Sequence, residues 1–218
     1  LPSSLKDIEN DVFKNCGNIQ KVYYNGTPDQ WANIKFHNLY SNPMYCCNNS
    51  ENIYMKGNLV TKAVISTASE INDFAFINFN ALESVILPEN LIRIGEGAFY
   101  DCNSLKNINI PDSVTDIGSS AFSYCKSLES ITIPKSVTVV GERAFNGCTA
   151  LKNVTIPESV TRIAENAFYG CSELESIVIP NSVTEIGENT FRACFSLKSI
   201  TIPESVTEVE KYAFEGCS

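Results

Sequence analysis

A period of 23 residues runs through most of this sequence. From residue 82 to residue 218, each unit follows the pattern LxxIxIPxSVTxIGxxAFxxC with few exceptions. The defining columns are leucine at Leu82, Leu105, Leu128, Leu151, Leu174 and Leu197, and cysteine at Cys102, Cys125, Cys148, Cys171, Cys194 and Cys217. One such unit cannot bury its apolar residues alone, so consecutive units must stack and share one core.

Each part of the unit predicts a local structure. The LxxIxI segment has the spacing of a short β-strand with its apolar side chains inward, and the following proline ends it because proline cannot donate to a ladder. The SVTxI segment predicts a second extended stretch on the convex side, and ExxAFxxC predicts a tight turn. Stacked units place their strands in parallel, about 4.8 Å apart. The sequence therefore predicts an α/β solenoid, a right-handed superhelix of short parallel strands with short helical or 3-10 turns.

Four segments of one continuous solenoid can be distinguished. Residues 82–218 carry the regular units, and residues 59–81 form a degenerate unit in which Leu59 takes the leucine position and Phe79 replaces the cysteine. Residues 25–58 interrupt the period, whereas residues 1–24 match parts of two units. We expect residues 25–58 to form a joint with a short helix.

The interruption contains the only tryptophan and the only histidine of the chain, Trp31 and His37. Thr27, Pro28 and Gln30 have the spacing of a helix start, with Thr27 as the N-cap and Gln30 closing a capping box. Trp31 and Ile34 would then share one face and pack on the adjoining units. This favours a structural joint, although insertions in solenoids also form binding loops.

The repeated unit resembles the BspA-like leucine-rich repeats, which occur in surface proteins of host-associated bacteria and of some protozoan parasites. The segment YYNGTPDQW, residues 23–31, is also similar to one found between repeat blocks of that family. The resemblance implies a non-enzymatic interaction or adhesion module of a cell-surface or secreted protein, which binds host or matrix macromolecules. The alternative is a passive spacer that presents another domain at the cell surface.

Composition and motifs narrow the partners further. The net charge of −9 provides no extended basic surface, so we expect no nucleic-acid partner, and no apolar run is long enough for direct membrane insertion. The sequence contains no catalytic or dinucleotide-binding motif and no CxxC pair, so we expect no catalytic residue, cofactor or metal. His37 could in principle act with Cys46 or Cys47, but a lone histidine is usually a surface residue.

The cysteines fall into two groups. The six cysteines of the column repeat at the spacing of one unit and point inward, which favours reduced, buried thiols that behave as small apolar residues. Cys16, Cys46 and Cys47 lie outside the column, and a disulfide from Cys16 to the interruption remains open in a secreted protein.

The outward side chains of the strands and the interruption supply the candidate contacts for a protein partner. The strand columns are small, polar and nearly uncharged. The candidate binding residues are Trp31, His37, Tyr40, Ser130, Thr132, Asn153, Thr155, Ser176 and Val178.

The chain opens within one unit and stops within another, at EGCS. We therefore expect any signal peptide or anchor to lie outside it. The last unit leaves an apolar edge without a neighbour, which predicts an end-to-end homodimer.

Overall fold

Two ladders of short strands form the solenoid in the computed structural model, which describes residues 1–46 and 53–217. The first ladder contains β2 (Val22–Tyr24), β4 (Ile53–Met55), β5 (Asn58–Leu59), β6 (Lys62–Val64), β8 (Ser84–Ile86), β10 (Asn107–Ile108), β12 (Ser130–Thr132), β14 (Asn153–Thr155), β16 (Ser176–Val178) and β18 (Ser199–Thr201). The second contains β1 (Asp7–Ile8), β3 (Lys35–Phe36), β7 (Glu70–Ile71), β9 (Arg93–Ile94), β11 (Asp116–Ile117), β13 (Val139–Val140), β15 (Arg162–Ile163), β17 (Glu185–Ile186) and β19 (Glu208–Val209). Every strand pair is parallel except β4 with β5. The predicted parallel solenoid is confirmed.

The strand register repeats the period of the sequence. Val85 lies beside Ile108, and Ile131 lies beside Val154, each pair one unit apart. The middle residue of these strands points into the core and its neighbours point outward, because side chains alternate across a strand. The outward positions therefore form straight columns along the first ladder.

A hairpin breaks this register near the start. The chain turns at Gly57, whose φ is +81°, so β5 runs antiparallel to β4 and Leu59 lies opposite Tyr54. The hairpin directs Leu59 outward and Val60 into the core. The prediction that Leu59 occupies the leucine column is wrong; Val60 takes the position that corresponds to Leu82.

The AFxxC segment is a series of turns held by hydrogen bonds of the i to i+3 type. The amides of Ala121, Ser123 and Cys125 bond within their own unit, while those of Ser120, Phe122 and Tyr124 bond to carbonyls of the next one. Ser120 and Tyr124 have left-handed backbones, with φ of 56° and 61°, which prevents a continuous helix. Alternate amides therefore build the turn and join neighbouring units.

Phenylalanine and cysteine columns fill the core beneath these turns. The rings from Phe76 to Phe214 are stacked, with neighbouring centroids 5.3–5.6 Å apart and planes within 9°. Each column thiol donates to a phenylalanine carbonyl of the preceding unit, as Cys148 Sγ does to Phe122 O at 3.1 Å. Five of the six are buried, and that part of the prediction is confirmed, while their reduced state stays a prediction.

Residues 25–46 form an irregular turn of the solenoid. It contains helix α1 (Pro28–Ala32), a 3-10 helix (Leu39–Ser41) and helix α2 (Pro43–Cys46). Helix α1 begins with the predicted capping box between Thr27 and Gln30, and Trp31 and Ile34 are fully buried. Trp31 Nε1 donates to Ala75 O at 2.5 Å, so the indole joins the helix to the following unit.

Asp29 fastens helix α1 to residues 66 and 67. Its carboxylate accepts hydrogen bonds from Ser66 N at 2.7 Å, from Thr67 N at 2.9 Å and from the Thr67 hydroxyl. Burial acts to raise the pKa of Asp29, but the hydrogen bonds from Thr67 and Ser66 outweigh it and lower the pKa below its usual value of 3.8. The ionised carboxylate is thus stabilised by folding.

We expect Asp29→Ala to lower the free energy of unfolding by about 1–3 kcal/mol at neutral pH, because two amides lose their acceptor. The pKa is lowered by folding, so the benefit of the carboxylate exists above pH 3.8 and is lost as pH falls through the folded-state pKa. Urea unfolding of both proteins at pH 7 and pH 3 measures this. An equal difference between the two proteins at both pH values would contradict it.

Candidate interaction surface

The outward columns of the first ladder form a continuous strand face. Ser130 lies beside Asn153, and Thr132 lies beside Thr155, in the register of β12 with β14. All four side chains are exposed, as are Ser176 and Val178 on the next strand. The structure therefore brings six of the candidate residues onto one surface, and their role in binding stays a prediction.

This face is small and polar over most of its length. Val178, with 77% of its surface exposed, is an apolar departure near the C-terminal end. The N-terminal end departs more strongly, with Tyr23 53% exposed and Leu59 40% exposed, followed by exposed Val64 and Ile86. Binding residues are expected where a repeated face changes its chemistry.

Tyr23, Tyr54 and Leu59 form a cluster that we call the tyrosine patch. Tyr23 and Tyr54 are neighbours in the register of β2 with β4, and their rings stack at a centroid distance of 5.1 Å and an angle of 22°. Leu59 lies opposite Tyr54 in the hairpin. Lys21 Nζ lies 5.9 Å from the centroid of the Tyr54 ring. The patch combines two aromatic rings and one aliphatic side chain, and the ammonium of Lys21 lies beside it.

The tyrosine patch is absent from the residues predicted above. Tyr23 could have been found, because Val22 and Tyr24 are buried on either side of it and alternation turns the middle residue outward. Its pairing with Tyr54 carries no local signal, since the intervening segment does not follow the period.

Trp31 must be removed from the candidate binding residues. Its side chain is fully buried and lies against Tyr24 and Phe36, so it cannot touch a partner. The prediction that Trp31 contacts a partner is therefore wrong, because its indole fills the core of the irregular turn.

His37 and Tyr40 lie apart from the strand face. Nε2 of His37 is 2.8 Å from Asp7 Oδ1, and both His37 and Tyr40 line a shallow cleft with Asp73 and Glu96. Tyr40 also lies under the ammonium of a lysine, 5.4 Å from its ring centroid. The two residues share a site with each other but not with Ser130 or Thr132.

One group of side chains near His37 has the chemistry of metal ligands. Ligand atoms of Asp7, Glu9 and His37 all lie within 4.8 Å of one another, because Asp7 and Glu9 flank Ile8 in β1 and His37 follows the partner strand β3. Both carboxylates are exposed to solvent, and the hydrogen bond between His37 and Asp7 satisfies both groups. The arrangement is accounted for as a surface hydrogen bond beside a solvated carboxylate.

Cys46 is poorly suited to act as a nucleophile. Burial raises the pKa of its thiol, and the neighbouring Cys16 thiol raises it further, so the reactive thiolate is disfavoured at neutral pH. Both thiols are free. A disulfide from Cys16 to the interruption stays a prediction, and Cys47 lies outside the described residues.

The helices that the structure describes lie within residues 1–46 and 53–217. None of the helices there has the length and apolar character needed to cross a bilayer.

Comparisons with known proteins agree with this architecture. The family model for the BspA-type leucine-rich repeat region matches in six copies, over residues 1–68, 48–175 and 115–218. A leucine-rich repeat protein of T. pallidum is 32% identical, with 72% of this chain and 77% of that chain covered at a TM-score of 0.69. A leucine-rich repeat protein of Eubacterium ventriosum, 23% identical, has the same fold at a TM-score of 0.74, with 99% of this chain and 57% of that chain covered. A comparison with curated proteins found no significant match.

Repeat solenoids of this kind generally mediate protein–protein interactions through an extended face and are typically non-catalytic. The match extends over the whole chain, including the irregular turn. The chain belongs to the BspA-type leucine-rich-repeat family, as its repeated columns, its two parallel ladders and this match together show.

Proposed function

We propose that this chain is a non-enzymatic adhesion module of a cell-surface or secreted protein, and that it binds host or matrix proteins through the strand face. The observation that carries the proposal is the continuous exposed face of the first ladder, which ends in the tyrosine patch. A surface location follows from the family resemblance and forms part of the same proposal.

The second candidate is a passive spacer. The polar monotony of the face around Thr132 and Thr155 favours it, since strong contacts usually centre on tyrosine, tryptophan or arginine. The two candidates differ in one measurable property, because a spacer has no partner that recognises its face.

The test immobilises the whole chain and exposes it to extracts of extracellular matrix and host cell surface. Captured proteins are identified by mass spectrometry, purified and measured again one at a time. The double variant Thr132→Arg with Thr155→Arg places two bulky charges on the strand face, and Thr138→Arg with Thr161→Arg is the matched control at exposed threonines beside the second ladder. Both variants keep residues 25–58 unchanged, because Trp31 and Ile34 belong to the core and their loss would disturb the fold.

We expect a purified partner to bind the wild type and the control but to lose at least about tenfold in affinity for the double variant. Equal binding by both variants would place the contact elsewhere. Failure of the wild type to retain any partner would favour the spacer.

We also propose that a protein made of residues 1–218 forms an end-to-end homodimer. Ile202 and Val209 are 43% and 45% exposed, whereas their counterparts one unit earlier, Ile179 and Ile186, are buried. The chain is expected to dimerise with increasing concentration, and Ile202→Lys to remain monomeric, because the lysine adds a charge to the open edge. Light scattering over a concentration series checks this, and a wild type that stays monomeric throughout would contradict it.

A further inference from the structure

The tyrosine patch is set apart by its charge. Residues 12–28 and 52–69, which supply the patch, contain Lys14, Lys21, Lys56 and Lys62 and no aspartate or glutamate. The whole chain, in contrast, has 25 acidic and 16 basic residues. The two segments that supply the patch are therefore basic, and acidic residues stand just outside them in the sequence, at Asp11, Asp29, Glu51 and Glu70.

Three of these lysines are available to a ligand. Lys14 pairs with Asp11 at 3.1 Å, whereas Lys21, Lys56 and Lys62 are exposed and form no ion pair within residues 1–46 and 53–217. Lys21 is held over the Tyr54 ring. Cations beside an exposed apolar surface attract and orient a partner of opposite charge.

The apolar part of the patch points to a peptide ligand. Tyrosine rings provide a large contact area at a small cost in conformational entropy. Leu59, opposite Tyr54, extends the contact with an aliphatic side chain, which packs against the side chains of a peptide. A sugar would need several polar side chains for its hydroxyls, and within the patch Tyr23 and Tyr54 supply only their phenol groups.

We infer that the tyrosine patch is a docking site for an acidic peptide segment of a partner protein, whose carboxylates meet Lys21 and Lys56 while an apolar side chain packs on Tyr23, Tyr54 and Leu59. This rests on the proposed function and names the chemistry of its partner.

The test uses the full chain and a short fluorescein-labelled peptide that alternates aspartate and glutamate with single phenylalanine and leucine residues. Two matched peptides replace the carboxylates by amides or the apolar residues by serine. A labelled heparin oligosaccharide offers negative charge without a peptide. Fluorescence anisotropy gives the dissociation constant of each probe at low and at physiological salt.

We expect the acidic apolar peptide to bind best, with affinity that falls as salt rises. Lys21→Glu with Lys56→Glu should weaken it at least about tenfold, and Tyr23→Thr, which installs a residue common in the outward columns, about fivefold. Lys106→Glu with Lys135→Glu changes the net charge equally at exposed positions away from the patch and should leave binding unchanged. Circular dichroism and urea unfolding confirm that each variant folds.

Several results would overturn the inference: no binding of the acidic peptide, equal binding of the amide peptide, equal loss in both charge-reversal variants, or preferential binding of the oligosaccharide. Failure here with a partner still captured through Thr132 and Thr155 would reject the docking site alone. Absence of any captured protein partner would reject the proposed function itself.

Discussion

Raising the pH from 8 to 10 in the presence of a reductant is expected to lower the free energy of unfolding by roughly 5–10 kcal/mol, because five buried thiols each contribute about 1–2 kcal/mol. Burial, and next the neighbouring cysteine, raises the pKa of the thiols of the fully buried column well above 9.0, to about 12 for Cys194. The unfolded chain releases these protons above pH 9 and the folded chain keeps them. The affected thiols are those of Cys102, Cys125, Cys148, Cys171 and Cys194.

The direction of the effect follows from proton linkage. Above pH 9 the unfolded state binds fewer protons than the folded state, so the stability present at lower pH is lost as pH rises. Each thiol contributes roughly 1–2 kcal/mol over the whole range from pH 8 to pH 10, because the unfolded chain releases its proton mainly above pH 9. The total is comparable with the whole stability of many domains, about 5–15 kcal/mol.

Cys148→Ala isolates this contribution from that of tyrosines and lysines. The variant has one titrating thiol fewer, so its loss of stability between pH 8 and pH 10 should be smaller than that of the wild type by roughly 1–2 kcal/mol. Urea unfolding of both proteins at each pH provides the four free energies needed. The same pH dependence in both proteins would refute the role of the thiols.

Phe145→Ala is expected to lower the free energy of unfolding by about 3–5 kcal/mol. The ring is fully buried and is stacked between Phe122 and Phe168, at centroid distances of 5.5 Å on both sides. Its removal opens a cavity in the middle of the column, and the rigid ladders on either side hinder its collapse.

Phe195→Ala is the matched control, because that ring is 57% exposed. Substitutions of exposed residues usually change stability by no more than about 0.5 kcal/mol, so we expect little effect. Urea unfolding monitored by circular dichroism measures both variants at neutral pH. A loss below about 1 kcal/mol for Phe145→Ala would show that the column is not essential to the core.

The regular units were predictable because their constraints are local and repeated. The residues at the positions of Ile131 and Phe145 face inward in each regular unit, because the same strand and the same turn recur. The capping box at Thr27 could be predicted because it acts over only three residues. Leu59 escaped prediction because a hairpin reversed the chain just before it, and its distance from Leu82 mimicked the period. Sequence spacing alone cannot distinguish a displaced strand from a repeated one.

The candidate site was less predictable for a related reason. The strand-face columns follow from alternation, so Thr132 and Thr155 were found, but their monotony gives no indication of where a partner binds. The stack of Tyr23 on Tyr54 depends on pairing between β2 and β4 across an irregular segment. Contacts of this kind become visible only when the chain is folded.

The alternating hydrogen bonds of the turns have a consequence for how such proteins vary in length. Because each unit offers its successor the same row of amides and carbonyls, gain or loss of a whole unit by recombination would preserve both ladders, whereas a shorter insertion would disturb them. Relatives with different numbers of units could therefore keep the tyrosine patch unchanged at one end. The number of units would then set the distance between the tyrosine patch and the last unit, which grows by about 4.8 Å for each added unit.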